Sequence, residues 1–202
     1  MSLIYHGGEK IEEKVKCPIF LYEDISDSIY FASGYSGVEN THISEFKLKE
    51  NAKVLDLVNG NQESNEKIIN EIMKKAGLVF EGEYLLVKDS YKKVGREVYG
   101  YDIDLAFFPK FAEELVKAGY NVLKTYTVME NTQPIGYAVL DSSVIDLKKE
   151  YHLNDDDYNV YLKVLKDTNN DQENTVGKEY SGRTGYGDIV LEEVKKPKKK
   201  MS

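Results

Sequence analysis

A histidine and two glycines, His6-Gly7-Gly8, close a short apolar run, Leu3-Ile4-Tyr5. Further along, Tyr30 sits inside a second apolar run, Ile29-Tyr30-Phe31-Ala32. Histidine changes charge near neutral pH, so small environmental shifts decide whether its ring donates or accepts. Tyrosine brings a flat apolar body with a polar tip. Glycine lets the backbone come close to a ligand. Imidazole and phenol at the ends of neighbouring strands, with glycines beside the imidazole, form a slot for a flat, polar aromatic amide. That is the pattern of a nicotinamide pocket.

The elements that must hold this slot are mostly short strands. Residues 2–6, 18–23 and 28–33 read as strands, with Asp24, Ser26 and Asp27 as turn residues between the last two. Residues 42–48 and 53–58 read as further strands. Residues 62–76 read as a helix, because Ile68, Ile69, Ile72, Met73 and Ala76 share a face and Gly77 follows as a C-cap. Residues 84–88 return to a strand, and residues 95–101 read as a loop. A second helix is predicted over 109–118. Pro109 opens it, Phe111, Ala112, Leu115 and Val116 form its apolar face, and Gly119 stops it. Strands 121–129 and 135–140 read as a hairpin across Asn131-Thr132-Gln133-Pro134. Residues 142–149 read as a last strand. This order gives an α+β class.

Beyond residue 149 the composition turns polar. Residues 150–170 read as an appendage with one short helix, Tyr158 to Leu165, and residues 171–202 as a flexible tail. The tail ends in a lysine cluster that includes Lys195, Lys196, Lys198, Lys199 and Lys200. It reads as a solvated end or as an electrostatic arm for an acidic partner.

His6-Gly7 and Ile29-Tyr30-Phe31-Ala32 resemble motifs of the ADP-ribosyltransferase superfamily, in its diphtheria-toxin and poly(ADP-ribose)-polymerase branch. That branch carries His, Tyr and Glu on three core strands. The third motif resembles Gly136-Tyr137-Ala138-Val139-Leu140-Asp141, and the likeness runs over roughly residues 3–147. The resemblance implies a split β-sandwich that grips NAD as a substrate and transfers ADP-ribose to a protein, as a toxin or host-modifying factor does. It implies that His6 bonds a ribose hydroxyl, and that Gly7, beside Gly8, meets the carboxamide through its backbone. Tyr30 would stack on the nicotinamide and Tyr35 would close the other face. Ser33 or Ser36 would bond the amide. The chain departs from the family where the catalytic glutamate belongs, since Gly136 stands there. Glu130, and behind it Gln133, are the candidates to supply that function from the preceding turn. Without them the chain would bind NAD or ADP-ribose without chemistry.

The composition limits other functions. The net charge of -8 does not favour nucleic acid as a general partner. The single cysteine, Cys17, allows no internal disulfide and no four-cysteine zinc site, and a cytoplasmic location is expected. No secretory leader or membrane-spanning run is read. His42 and His152 have no partners at metal-ligand spacing, and no metal is expected. Asp155-Asp156-Asp157 lacks the alternation of a calcium loop. The glycines from Gly182 to Gly187 lack the strand-to-helix context of a phosphate loop. A competing reading is an interaction protein, such as an inhibitor, whose tyrosine-rich surface docks a host protein; the chain has 16 tyrosines.

Overall fold

A computed structural model describes residues 3–11, 14–25, 27–29, 42–59, 62–81, 84–87, 92–93, 100–127, 134–152 and 192–193. Tyr30, Ser33, Tyr35, Ser36, Glu130, Gln133, the 158–165 segment and the terminal lysines lie outside these residues.

The main sheet contains β1 (Leu3–Gly8), β2 (Ile19–Tyr22), β3 (His42–Leu48), β4 (Val54–Asp56), β8 (Val122–Tyr126), β9 (Ile135–Val139), β10 (Ile145–His152) and β11 (Glu192–Glu193). Its strand order is β11-β10-β3-β1-β2-β9-β8-β4, antiparallel except for the parallel β4–β8 pair. A smaller antiparallel sheet holds β5 (Leu78–Glu81), β6 (Tyr84–Val87) and β7 (Lys92–Lys93). The expected α+β class therefore holds, with a mostly antiparallel sheet. The predicted hairpin is the β8–β9 pair, in register from Val122↔Val139 to Tyr126↔Ile135. β10 runs to His152, so the main sheet continues past residue 149.

Residues on alternate positions of a strand face opposite sides, and antiparallel partners share a side. One side of the main sheet buries Leu55, Leu123, Ala138 and Tyr22 against two helices. These are α1 (Gln62–Ala76) and α2 (Pro109–Lys117). α1 contributes Ile69, Ile72, Met73 and Ala76, the face its periodicity predicts. Gly77 and Gly119 end the two helices at φ 73 and 93, where a Cβ would be strained. α2 buries Phe111 and Leu115, but Val116 is 51% exposed and does not belong to the packed face. The other side of the sheet buries Ile4, Ile19, Leu21, Phe46, Val122 and Val139.

One expected strand is corrected. Ile25 and residues 27–29 are helical, so the segment that opens at Ser28 does not begin as a strand. Ser28 and Ile29 are fully buried and Ile25 partly so, which is the i, i+3, i+4 spacing of a helical face. The Ser28 hydroxyl donates to the Tyr5 carbonyl at 2.8 Å and ties this turn to β1.

Candidate functional site

β1 and β2 are in register at Tyr5↔Tyr22. Beyond that point a side chain enters the pairing. His6 Nδ1 donates to the backbone oxygen of Phe20 at 2.8 Å. A cleft of about 1330 Å³ opens beside it. It is lined by His6 and His42, by residues 9–11 and 14–20, and by Leu140–Ser142.

The bond to Phe20 fixes the state of His6. Burial lowers its pKa, and the Phe20 hydrogen bond only partly opposes this. The ring is therefore neutral at pH 7, with its proton on Nδ1 and a lone pair on Nε2. A Cβ added at Gly8 would lie 3.1 Å from that Nε2, so Gly8 keeps the space in front of the nitrogen clear. In this tautomer Nε2 is a hydrogen-bond acceptor.

The chain's three histidines share this side of the sheet. His6 pairs in register with Ser44, and Gly8 with His42, across β1 and β3. Ser44 pairs with Glu150, and His42 with His152, across β3 and β10. The His42 and His152 rings meet edge to face at 4.9 Å between centroids. The Ser44 hydroxyl is fully buried with no hydrogen-bond partner among the described residues. Glu150 Oε1 accepts from the Ile11 backbone N–H at 3.1 Å and holds the segment after β1 onto the sheet. Among the described residues, no group of three or more His, Cys, Asp or Glu is placed to hold a metal.

Gly136 lies elsewhere. It pairs with Tyr22, which pairs with Tyr5, so it faces the helix side and not the side of His6. A Cβ there would fall 2.6 Å from Thr127 Oγ1 and 2.8 Å from Ile103 Cδ1. The position has no room for a side chain, which gives a packing reason for glycine where the motif calls for glutamate.

The structure places His6 at the cleft, while Gly7 and Gly8 follow it on β1 and are not among the lining residues. The expected site residues Tyr30, Ser33, Tyr35, Ser36, Glu130 and Gln133 lie outside the described residues. Phe20 is an addition: it lines the cleft, and its ring packs on Phe107 at 4.3 Å between centroids. The strand pattern Ile19-Phe20-Leu21-Tyr22 carried that signal. Glu150 and His42 are further additions. The period-two spacing of Glu150 with His152, and of His42 with Ser44, shows that each pair shares a face, but not which strands meet. Cys17 also lines the cleft. Desolvation first and Asp141 second push its thiol up, so it is held protonated and is a poor nucleophile. No protein-family model, curated protein or solved structure matches the chain.

Proposed function

We propose that the chain binds NAD in the cleft beside β1 and β2 and transfers its ADP-ribosyl group to a protein. The observation that carries this reading is His6: a neutral imidazole, oriented through Nδ1, that lines a large cleft and has Gly8 in front of its Nε2. Nε2 would accept a hydrogen bond from a ribose hydroxyl. The Gly7 backbone would meet the carboxamide. The bond between ribose C1′ and the nicotinamide nitrogen breaks, and nicotinamide leaves with the electron pair. A nucleophile on the acceptor bonds to C1′ and loses its proton. Such a reaction depends on positioning and on stabilising positive charge at the ribose. Glu130 is the residue proposed for that charge, with Gln133 behind it.

A second reading is that NAD is held without turnover. Gly136 favours it, because the motif's carboxylate position is filled by Thr127 and Ile103.

The test is thermal stability with and without NAD, for the parent and for His6→Ala. A ligand at 100 times its Kd adds roughly 2.7 kcal/mol. The parent should gain stability and the variant should not. No gain in the parent at millimolar NAD would overturn the reading. Glu130→Gln separates the two readings: a transferase loses nicotinamide release and keeps NAD affinity.

A further inference from the structure

We propose that Lys10, Lys14 and Lys16 form the phosphate side of the cleft and hold the pyrophosphate of a nucleotide. The assignment rests on the nucleotide reading above and adds the residues that would recognise the anion.

The chain carries a net charge of -8, yet three lysines line this cleft. Two carboxylates, Glu9 and Asp141, line it with them. Asp141 is already engaged. It accepts from the Ser143 backbone N–H at 2.9 Å and from the Ser143 hydroxyl at 2.7 Å. Of the lysines elsewhere, Lys49 pairs with Asp146 at 3.2 Å, Lys117 with Glu114 at 2.6 Å and Lys124 with Glu23 at 2.8 Å, while Lys47, Lys53, Lys74, Lys75 and Lys110 form no ion pair among the described residues. Among the described residues, Lys10, Lys14 and Lys16 form no such pair.

Their backbone is anchored even though their side chains are not. Ile11 and Val15 pack on the sheet's apolar face between the lysines. The Ile11 N–H is held by Glu150. The lysines are exposed and flank these anchors. Ile11 and Val15 are thus held against the sheet, and Lys10, Lys14 and Lys16 beside them are exposed at the cleft. Lysine binds phosphate as a compact point charge and needs no fixed fork geometry. The cleft is at least as large as the pockets that usually hold small ligands, about 300–1,000 Å³. A nucleotide held there would place its ribose at His6 and its phosphates at the three lysines.

The experiment is calorimetric titration of the parent, of the Lys10→Gln/Lys14→Gln/Lys16→Gln variant and of His6→Ala. The probes are NAD, ADP, inorganic pyrophosphate and nicotinamide riboside. The three lysines are exposed, so the variant should melt as the parent does, and a melting curve checks this. The parent should bind NAD, ADP and pyrophosphate, each more weakly as salt rises. The triple variant should lose about tenfold or more for all three. His6→Ala should weaken NAD and leave pyrophosphate unchanged. The inference is overturned if the folded triple variant binds the phosphate probes as the parent does, or if nicotinamide riboside binds as tightly as NAD. Loss of pyrophosphate affinity in the triple variant, with no NAD effect in His6→Ala, would uphold the lysine site and overturn the NAD reading. Absence of binding by every probe would overturn both.

Discussion

His6 Nδ1 lies 2.8 Å from the carbonyl oxygen of Phe20, so a side chain takes a backbone acceptor beside the one register pair that joins β1 to β2. The same contact sets the tautomer of the ring and the edge of the cleft. Structure and site are coupled there through one proton.

His6→Ala should therefore destabilise the fold as well as the site. It leaves the Phe20 oxygen without its donor, at a cost of about 1–3 kcal/mol. The pH dependence has a definite sign. Burial lowers the pKa of His6, so the unfolded chain takes up this proton first as pH falls. The stability tied to the neutral ring is complete above about pH 6.5 and is lost as pH falls from there to the lower folded value. Urea midpoints at about pH 7.5 and 5.5 read both effects. An acid-side loss in the parent that His6→Asn does not reduce would show that the ring is not buried neutral.

Ser44→Ala should be neutral or stabilising. The Ser44 hydroxyl is buried without a partner among the described residues, opposite His6 in the β1–β3 register. Removing an unpaired buried hydroxyl removes its desolvation penalty. Thermal melting decides this. A loss of more than about 1 kcal/mol would mean that the hydroxyl is hydrogen-bonded in solution.

Gly136→Ala should destabilise by about 1–3 kcal/mol, because the new methyl must displace Thr127 Oγ1 and Ile103. Gly136→Glu should be worse, and it should not create nicotinamide release, since its register places it on the side of the sheet away from His6. Activity gained by Gly136→Glu would mean that the two sides communicate in a way the strand pairing does not allow.

The sequence revealed the elements whose pattern was long or well punctuated. α1 shows its buried face in Ile69, Ile72, Met73 and Ala76 and its end in Gly77. The β8–β9 hairpin shows its turn residues. Short apolar runs are ambiguous between strand and helix. Ser28-Ile29 looked like a strand start and is helical. Val116 extended an apolar stripe that the tertiary packing does not use. The His6-Gly7-Gly8 motif is readable in the sequence because it is local, and the structure places its histidine at the cleft. The contacts of His6 with Phe20, Ile11 with Glu150, and His42 with His152 depend on which strands meet. Spacing along the chain does not carry that information.

Lys124 should behave as one unit with Glu23 and Tyr137. Lys124 is buried, 2.8 Å from Glu23 Oε1, and the Tyr137 hydroxyl donates to the same oxygen. Burial alone would lower the pKa of Lys124, but the bonds to Glu23 and Tyr137 outweigh it and hold the ammonium above its ordinary range. Lys124→Met removes the charge that Glu23 faces, and Tyr137→Phe removes the second donor. Each should cost about 1–3 kcal/mol, and the double variant should cost less than the sum. Strict additivity in this double-mutant cycle would show that Lys124 and Tyr137 are not coupled.

Asp27→Asn should stabilise the protein at and above neutral pH. Burial first, and the nearby charge of Asp24 second, raise the pKa of Asp27 from 3.8 to about 7. The folded state therefore keeps a proton that the unfolded chain gives up. Its contribution is most favourable below the unfolded value, declines as pH rises through the window to about 7, and is fully lost above it. This slope is opposite to that of His6, so the two variants separate the effects. Asparagine keeps the shape and has no proton to lose. The gain in urea midpoint for Asp27→Asn should be near zero at about pH 4 and largest at about pH 8. Asp24→Asn should bring the Asp27 carboxyl back towards its ordinary range, which carboxyl chemical shifts report directly. A gain for Asp27→Asn that is the same at both pH values would mean that Asp27 titrates as an ordinary exposed carboxylate, and the buried, raised state would be wrong.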